Sequence, residues 1–290
     1  MTASPPQVPA YPRIAVQNGR ATVSLGALTR SRHCTFRCTF CYVNDDFKRG
    51  GRSTIQEVTE ALREVNASSY EVILVSGDTD SFAPPRRSEG VALVEALSAF
   101  GKSVAFTTRA LLSDEDIAVL VRSAERLRSQ GKWLCAQTSL TQWTVPYLEP
   151  HPVPPAEARI SQLRRLRATS LYTGVALRPL LPVVPLSDYT ALLGEVAEYV
   201  DYVLIGTWFA DAEGQLEKAT LGDGPCSTYT VSDVRMDFDA NTATWREYRS
   251  SEAEASCRAV AARLGVPLFD RTRMAFEWLT ATSIASPLGG

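Results

Sequence analysis

Six short apolar runs, each followed by an amphipathic stretch, alternate along this 290-residue chain before residue 210. Residues 71–75 (EVILV) form a nearly continuous run of mostly β-branched residues, as a strand covered on both faces requires. Ala21–Leu28, Ser103–Phe106, Trp133–Thr138, Tyr172–Leu177 and Tyr202–Ile205 read as the other strands. Helices are expected between them. Thr54–Val65 places Ile55, Val58, Ala61, Leu62 and Val65 on one face, and Val91–Phe100 follows the second strand. Ser113 with Asp116 three residues later starts a capping box for a helix reaching Ser129, which Gly131 stops. Pro154 and Pro155 open a helix to Ala168, and Ser187–Tyr199 forms the last of the series.

Strands separated by helices predict a parallel sheet with right-handed crossovers. The expected fold is α/β: a partial (β/α)₆ TIM-like barrel over residues 21–209, after an N-terminal tail (1–20), with a C-terminal extension (210–290) covering the barrel mouth. Ala210–Asn241 is rich in Gly, Asp and Thr, with a strand pair expected around Tyr229–Phe238. Ser251–Leu264 and Arg273–Leu279 read as helices. A doubly wound dinucleotide fold fits less well, because no Gly-x-Gly-x-x-Gly turn follows any expected strand.

With 45% hydrophobic residues, the chain has material for an ample core, and its formal charge of −2 supplies no general polycationic surface. This balance argues against nucleic acid as a partner. No run of about 18 apolar residues marks a membrane span, and no basic, then apolar, N-terminal segment marks a signal peptide. A cytoplasmic location is expected, where six cysteines are not disulfides but thiols or metal ligands.

Three of those cysteines fall within eight residues, in His33-Cys34-Thr35-Phe36-Arg37-Cys38-Thr39-Phe40-Cys41-Tyr42, directly after the first expected strand. A closed structural zinc site or a simple electron-transfer cluster takes four ligands; three thiolates leave one metal position open. A zinc knuckle using His33 is the competing reading, although ligation by His33 and its neighbour Cys34 together is awkward. This Cys-x₃-Cys-x₂-Cys-aromatic motif resembles the signature of the radical S-adenosylmethionine superfamily. The resemblance implies that Cys34, Cys38 and Cys41 hold a [4Fe–4S] cluster whose open iron binds S-adenosylmethionine, with Tyr42 beside the cofactor. One electron then cleaves the cofactor to methionine and a 5′-deoxyadenosyl radical.

Further segments fit this resemblance. Ser76, Gly77 and Asp78 stand after the second strand, where the family binds the cofactor's amino group; a glycine permits close approach and a carboxylate suits an ammonium. Thr107, Arg109, Gln137 and Ser139 end the next two strands, and carboxyl ends of parallel strands form the sites of such barrels. Arg109 or Arg178 is a candidate partner for the cofactor carboxylate, with a rim ion pair as the alternative for each. Thr138–Leu140, Leu148–Pro150, Ala158–Ile160 and Leu177–Pro182 resemble the branch that includes spore photoproduct lyase; the likeness spans about residues 25–206. Arg159, Arg164, Arg165 and Arg167 are expected on the outer face of a helix whose Ile160, Leu163 and Leu166 point inward.

Cys135 and Cys257 are expected to be small buried hydrophobes. Cys226, on the Gly222–Ser227 loop, is a candidate hydrogen-atom donor to a product radical, with Tyr229 as relay or rival. Arg30, Arg32, Arg37, Lys48, Arg49 and Arg52 surround the motif against Asp45 and Asp46. That local excess suits an electron donor such as flavodoxin, a phosphorylated or nucleotide-containing substrate, or a solvated loop. The expected activity is hydrogen abstraction from a small-molecule substrate (epimerisation, dehydrogenation or carbon–carbon bond chemistry) in natural product biosynthesis. A nucleic-acid repair enzyme and a non-catalytic metal module are the alternatives.

Overall fold

The computed structural model describes residues 14–25, 34–42, 53–77, 79–222, 229–235 and 244–285. Five expected strands lie where the apolar runs place them: β3 (Tyr70–Val75), β4 (Ser103–Thr108), β5 (Leu134–Ser139), β6 (Tyr172–Leu177) and β7 (Tyr202–Ile205), after β1 (Ala15–Gln17) and β2 (Gly19–Val23). The first expected strand begins two residues early as β2. Its antiparallel partner β1 and a two-residue strand β11 (Leu268–Phe269) were not expected. The eight-stranded sheet runs β1-β2-β3-β4-β5-β6-β7-β11, with every pair from β2 onward parallel and the two edges unjoined. An incomplete barrel results.

Helices α1 (Ile55–Glu64), α2 (Arg87–Leu97), α3 (Asp114–Arg128), α4 (Ala156–Arg167) and α5 (Leu186–Val196) are the crossovers. The Ser113/Asp116 capping box forms as expected, and a second one at Thr54/Glu57 opens α1. Side chains alternate across each strand. Ile73, Val75, Val104, Phe106, Val175 and Val203 therefore join the helices in the larger core. Their neighbours Val72, Leu74, Ala105, Cys135, Ala176 and Leu204 face the concave side.

The tail has three destinations. β8 (Trp208–Asp211), α6 (Gln215–Leu221), β9 (Thr230–Arg235) and β10 (Thr244–Arg249) contribute a small antiparallel sheet in the order β8-β10-β9. The strand pair expected around 229–238 is corrected: among the described residues of that range the strand is β9, and its partner is β10, Thr244–Arg249, farther along the chain. α7 (Ser251–Leu264) packs against α5, and β11 then extends the main sheet. Last comes α8 (Thr272–Ala285), longer than expected, which sets Ala275, Phe276 and Leu279 against the concave residues in a second core.

Trp133, at the amino end of β5, donates its indole N–H to the Thr280 hydroxyl at 3.1 Å. α8 thus fills the half of the concave face away from the strands' carboxyl ends. No helix among the described residues is long and apolar enough to cross a membrane.

Candidate functional site

The three-cysteine loop is held from four sides. Thr35 donates its hydroxyl to the Pro84 carbonyl at 2.7 Å, and the Thr39 N–H meets the Leu148 carbonyl at 3.0 Å. From the tail, Trp208 Nε1 donates to the Phe40 carbonyl at 3.0 Å and the Thr220 hydroxyl reaches the Thr39 carbonyl at 3.3 Å. Within the loop the Cys41 N–H donates to the Cys38 carbonyl at 3.2 Å, and Arg37 adopts φ +54°, a left-handed conformation that non-glycine residues take only where surroundings impose it. Phe36 and Phe40 are buried beneath this turn, and Tyr42 packs edge-on against Trp245 with centroids 6.3 Å apart.

Cys38 is buried and Cys34 and Cys41 half-buried. Burial, reinforced by Asp80, pushes the Cys34 thiol up to about 12. Burial likewise pushes Cys38 up to about 12, while Arg109 works in the opposite direction. Such thiols ionise when a metal compensates their charge, releasing the protons on binding. Among the described residues no three His, Cys, Asp or Glu side chains converge on a point suited to one ion. A four-iron cluster makes no such demand, because each thiolate takes its own iron. The donor set of three adjacent soft thiolates therefore fits a [4Fe–4S] group at this loop.

Behind the loop, the concave face turns polar toward the strand ends. By the alternation that buries Ala105 and Cys135 inward, Thr107, Gln137 and Ser139 point to the same side, with Gln137 in register with Thr107 and Gly174. Gln137 is 1% exposed and neither amide atom has a hydrogen-bond partner. Ser76 has φ +65° just past β3, and its hydroxyl accepts from the Ser81 N–H at 2.9 Å. Gly77 is required by close approach: a Cβ there would meet Thr22 Cγ2 at 2.5 Å. Asp78 lies outside the described residues.

The two candidate arginines part company. Arg109 donates Nε to Glu149 at 2.8 Å, donates to the Thr141 hydroxyl at 3.2 Å, and lies 5.6 Å over the Phe40 ring. Glu149 also receives Arg159 in a two-pronged pair, at 3.2 and 2.5 Å. The rim-ion-pair alternative thus holds for Arg109. Arg178 donates to the Thr272 hydroxyl at 3.0 Å and has no carboxylate partner among the described residues. Burial lowers its pKa, as it does that of Arg20 on the same concave face. Arg20 was missed in the sequence, although its alternation with Ala21 and Val23 carries the signal.

Arg159 requires a correction. It is fully buried, not on the outer face, whereas Arg164, Arg165 and Arg167 are exposed as expected. Spacings of four and seven residues put Arg159 on the stripe of Leu163 and Leu166, where Glu149 compensates its charge. A second unforeseen carboxylate, Asp80, accepts the Arg109 N–H at 2.7 Å, the Phe82 N–H at 2.9 Å and the Thr108 hydroxyl at 3.0 Å, tying the β3 end to the β4 end.

Cys226 lies outside the described residues, as do the basic side chains around the motif other than exposed Arg37. Tyr229 is half-buried against the larger core. Cys135 and Cys257 are buried, and Cys135 Sγ lies 3.4 Å from the Tyr202 hydroxyl.

Glu149 sets an acid limit on stability. Burial alone would raise its pKa, but Arg159 and Arg109 outweigh this and hold it below the usual carboxylate range. A depressed folded-state pKa stabilises above the unfolded value, about 4.3, and that contribution fades as pH falls toward the folded value. Glu149→Gln is expected to cost about 3–5 kcal/mol at neutral pH by leaving two buried cations uncompensated. The deficit should shrink as pH falls below the unfolded-state value of about 4.3, where the unfolded chain takes up the proton before native Glu149 does. Urea unfolding at both pH values checks this; an equal deficit at both would refute the assignment.

The sequence profile of the Radical SAM superfamily matches residues 28–191, more than half of the chain. No curated protein matches. Among solved structures, spore photoproduct lyase complexed with dinucleoside spore photoproduct aligns at 13% identity over 82% of this chain and 74% of that one, with TM-score 0.60. A mutant of that enzyme with bound AdoMet and the dinucleoside aligns at 13% identity over 87% and 76%, with TM-score 0.62. Streptococcus suis SuiB bound to S-adenosylmethionine aligns at 11% identity over 88% of this chain and 51% of that one, with TM-score 0.57. A dinucleoside in two of these neighbours does not fit the expectation, drawn from net charge, that weighs against nucleic acid as a partner. The profile match, which spans the cysteine loop and the strands from β3 to β6, makes this chain a member of the radical S-adenosylmethionine superfamily, whose enzymes use a [4Fe–4S] cluster and S-adenosylmethionine.

Proposed function

We propose that Cys34, Cys38 and Cys41 bind the cluster, and that the concave polar face receives S-adenosylmethionine and a small substrate. The observation that carries this is the attachment of the loop bearing three buried or half-buried thiols to the carboxyl-end side of the sheet, where Thr39 meets Leu148 after β5 and Arg109 at the end of β4 lies over Phe40. When bound, the cluster and cofactor supply one-electron cleavage to methionine and a 5′-deoxyadenosyl radical. The chain's own residues orient and enclose. Ser76, Gly77 and Asp78 receive the cofactor's amino end, and Tyr42 flanks it against Trp245. Gln137 and Ser139 offer hydrogen bonds to its adenosyl portion. The division into tail, barrel (21–209) and covering extension (210–290) remains part of this reading; the contacts of Trp208 and Thr220 with the cysteine loop support a cover built from the small sheet and α6.

Family membership favours an enzyme over a non-catalytic metal module. Anaerobic reconstitution should yield an absorbance band near 400 nm, and dithionite with S-adenosylmethionine should release 5′-deoxyadenosine. Cys38→Ala is expected to abolish both. A Cys38→Ala protein that retained cluster and cleavage would sink the assignment.

For the cofactor carboxylate the reading commits to Arg178, because Arg109 is already paired with Glu149. Losing a hydrogen bond between charged groups costs about 1.5–3 kcal/mol. Arg178→Met should therefore weaken S-adenosylmethionine binding by roughly tenfold or more, read by titration calorimetry; unchanged affinity returns Arg178 to a structural role.

Cys226, relayed by Tyr229, is proposed to donate hydrogen to a product radical, because a thiol hydrogen is weaker than any that Ser, Thr or water offers. Cys226→Ala should leave 5′-deoxyadenosine formation intact while diverting the final product. Normal product from this variant, analysed by mass spectrometry, removes Cys226 from the mechanism.

A further inference from the structure

The charges of the Arg109–Glu149–Arg159 trio behind the cysteine loop do not cancel among themselves. Arg159 and Glu149 are almost sealed from solvent, at 0% and 1% side-chain exposure, and Arg109 is at 19%. Two guanidiniums share one carboxylate, leaving one net positive charge in a low-dielectric region. One Glu149 oxygen also accepts from Gln142 Nε2 at 3.2 Å, and Arg159 donates a third hydrogen bond to the Ser139 carbonyl at 2.5 Å. No further carboxylate forms a salt bridge with either arginine among the described residues. Asp80 accepts the backbone N–H of Arg109 at 2.7 Å; burial pushes its pKa up, and the Arg109 charge acts against that rise.

The surplus faces the cysteine loop. Arg109 sits 5.6 Å over the ring of Phe40, which stands between Cys38 and Cys41 in sequence, and the neighbour of Glu149, Leu148, accepts the Thr39 N–H. Three thiolates around a doubly positive four-iron core leave one net negative charge, and one-electron reduction adds a second. A fixed cation beside them stabilises the reduced form more than the oxidised one, and cluster potentials respond to such charges and to burial.

We propose that Arg109, positioned by Glu149 and Arg159, is an electrostatic tuning residue that raises the reduction potential of the cluster held by Cys34, Cys38 and Cys41. The inference rests on the cluster assignment made above. Glu149 is then a counterweight: it orients Arg109 but subtracts from its field. A packing role and a field role make different predictions for the two partners. Removing either destabilises the fold, but only a field role moves the potential in opposite directions.

The test is an EPR-monitored redox titration of the reconstituted protein with dithionite as electron source. Arg109→Gln removes the cation, and the potential should fall. Glu149→Gln removes the anion, and the potential should rise. Each change should alter the one-electron reduction equilibrium by roughly tenfold, about 59 mV. Arg109→Lys keeps the charge and should stay near wild type. Should Arg109→Gln not load, Glu149→Gln and Arg109→Lys against wild type still decide the matter. Shifts in one direction for both glutamine variants, or no shift in Glu149→Gln, overturn the inference while leaving the cluster assignment standing. Wild-type protein that takes up no iron and sulfide overturns the assignment itself, and the inference with it.

Discussion

A buried carboxylate between two buried guanidiniums organises the upper half of this protein. Glu149 follows β5, Arg109 ends β4 and Arg159 projects from α4, so one ionic cluster fixes a loop, a strand end and a helix relative to each other. Each charge would be costly without the others, because the effective desolvation penalty is several kcal/mol per ion. Satisfied together, they make the geometry at the mouth all-or-none. Arg109 presses on Phe40 and the Leu148 carbonyl accepts from Thr39, so the cysteine loop inherits its position from this network.

Below that polar layer the barrel is dry. α8 lays Ala275, Phe276 and Leu279 on the concave face, and Gly174 is the concession that lets Tyr202 fit, since a Cβ there would meet the ring at 2.7 Å. Among the described residues the concave side is thereby divided into an apolar floor against α8 and a more polar rim at the strands' carboxyl ends. This matches the general habit of parallel barrels, in which the amino ends of strands serve stability and the carboxyl ends serve chemistry.

Much of this was legible in the residues. Apolar runs such as 71–75 and 172–177 mark their strands because burial on both faces leaves little room for polar residues. The spacing of Cys34, Cys38 and Cys41 singles out the cysteine loop as a candidate site without reference to the rest of the fold. Arg159 was misread because a run of arginines on a helix suggests a solvated face, and the partner that neutralises it lies ten residues earlier on a loop. β11 has two residues, too few to show a period, and its place in the sheet depends on β7. The choice between Arg109 and Arg178 required knowing where Glu149 folds, information that is spread over three elements.

The small sheet has a further consequence. Trp208, where it begins, pairs directly with Tyr248, near where it ends, and the chain passes at once from β10 through Ser250 into α7. Residues 208–249 therefore leave the barrel and return to it at neighbouring points, as an inserted cassette does. Segments with adjoining ends can be lengthened, shortened or exchanged without relaying the elements around them. In this architecture the small sheet that touches the cysteine loop can thus be exchanged while the loop and its ionic support stay in place.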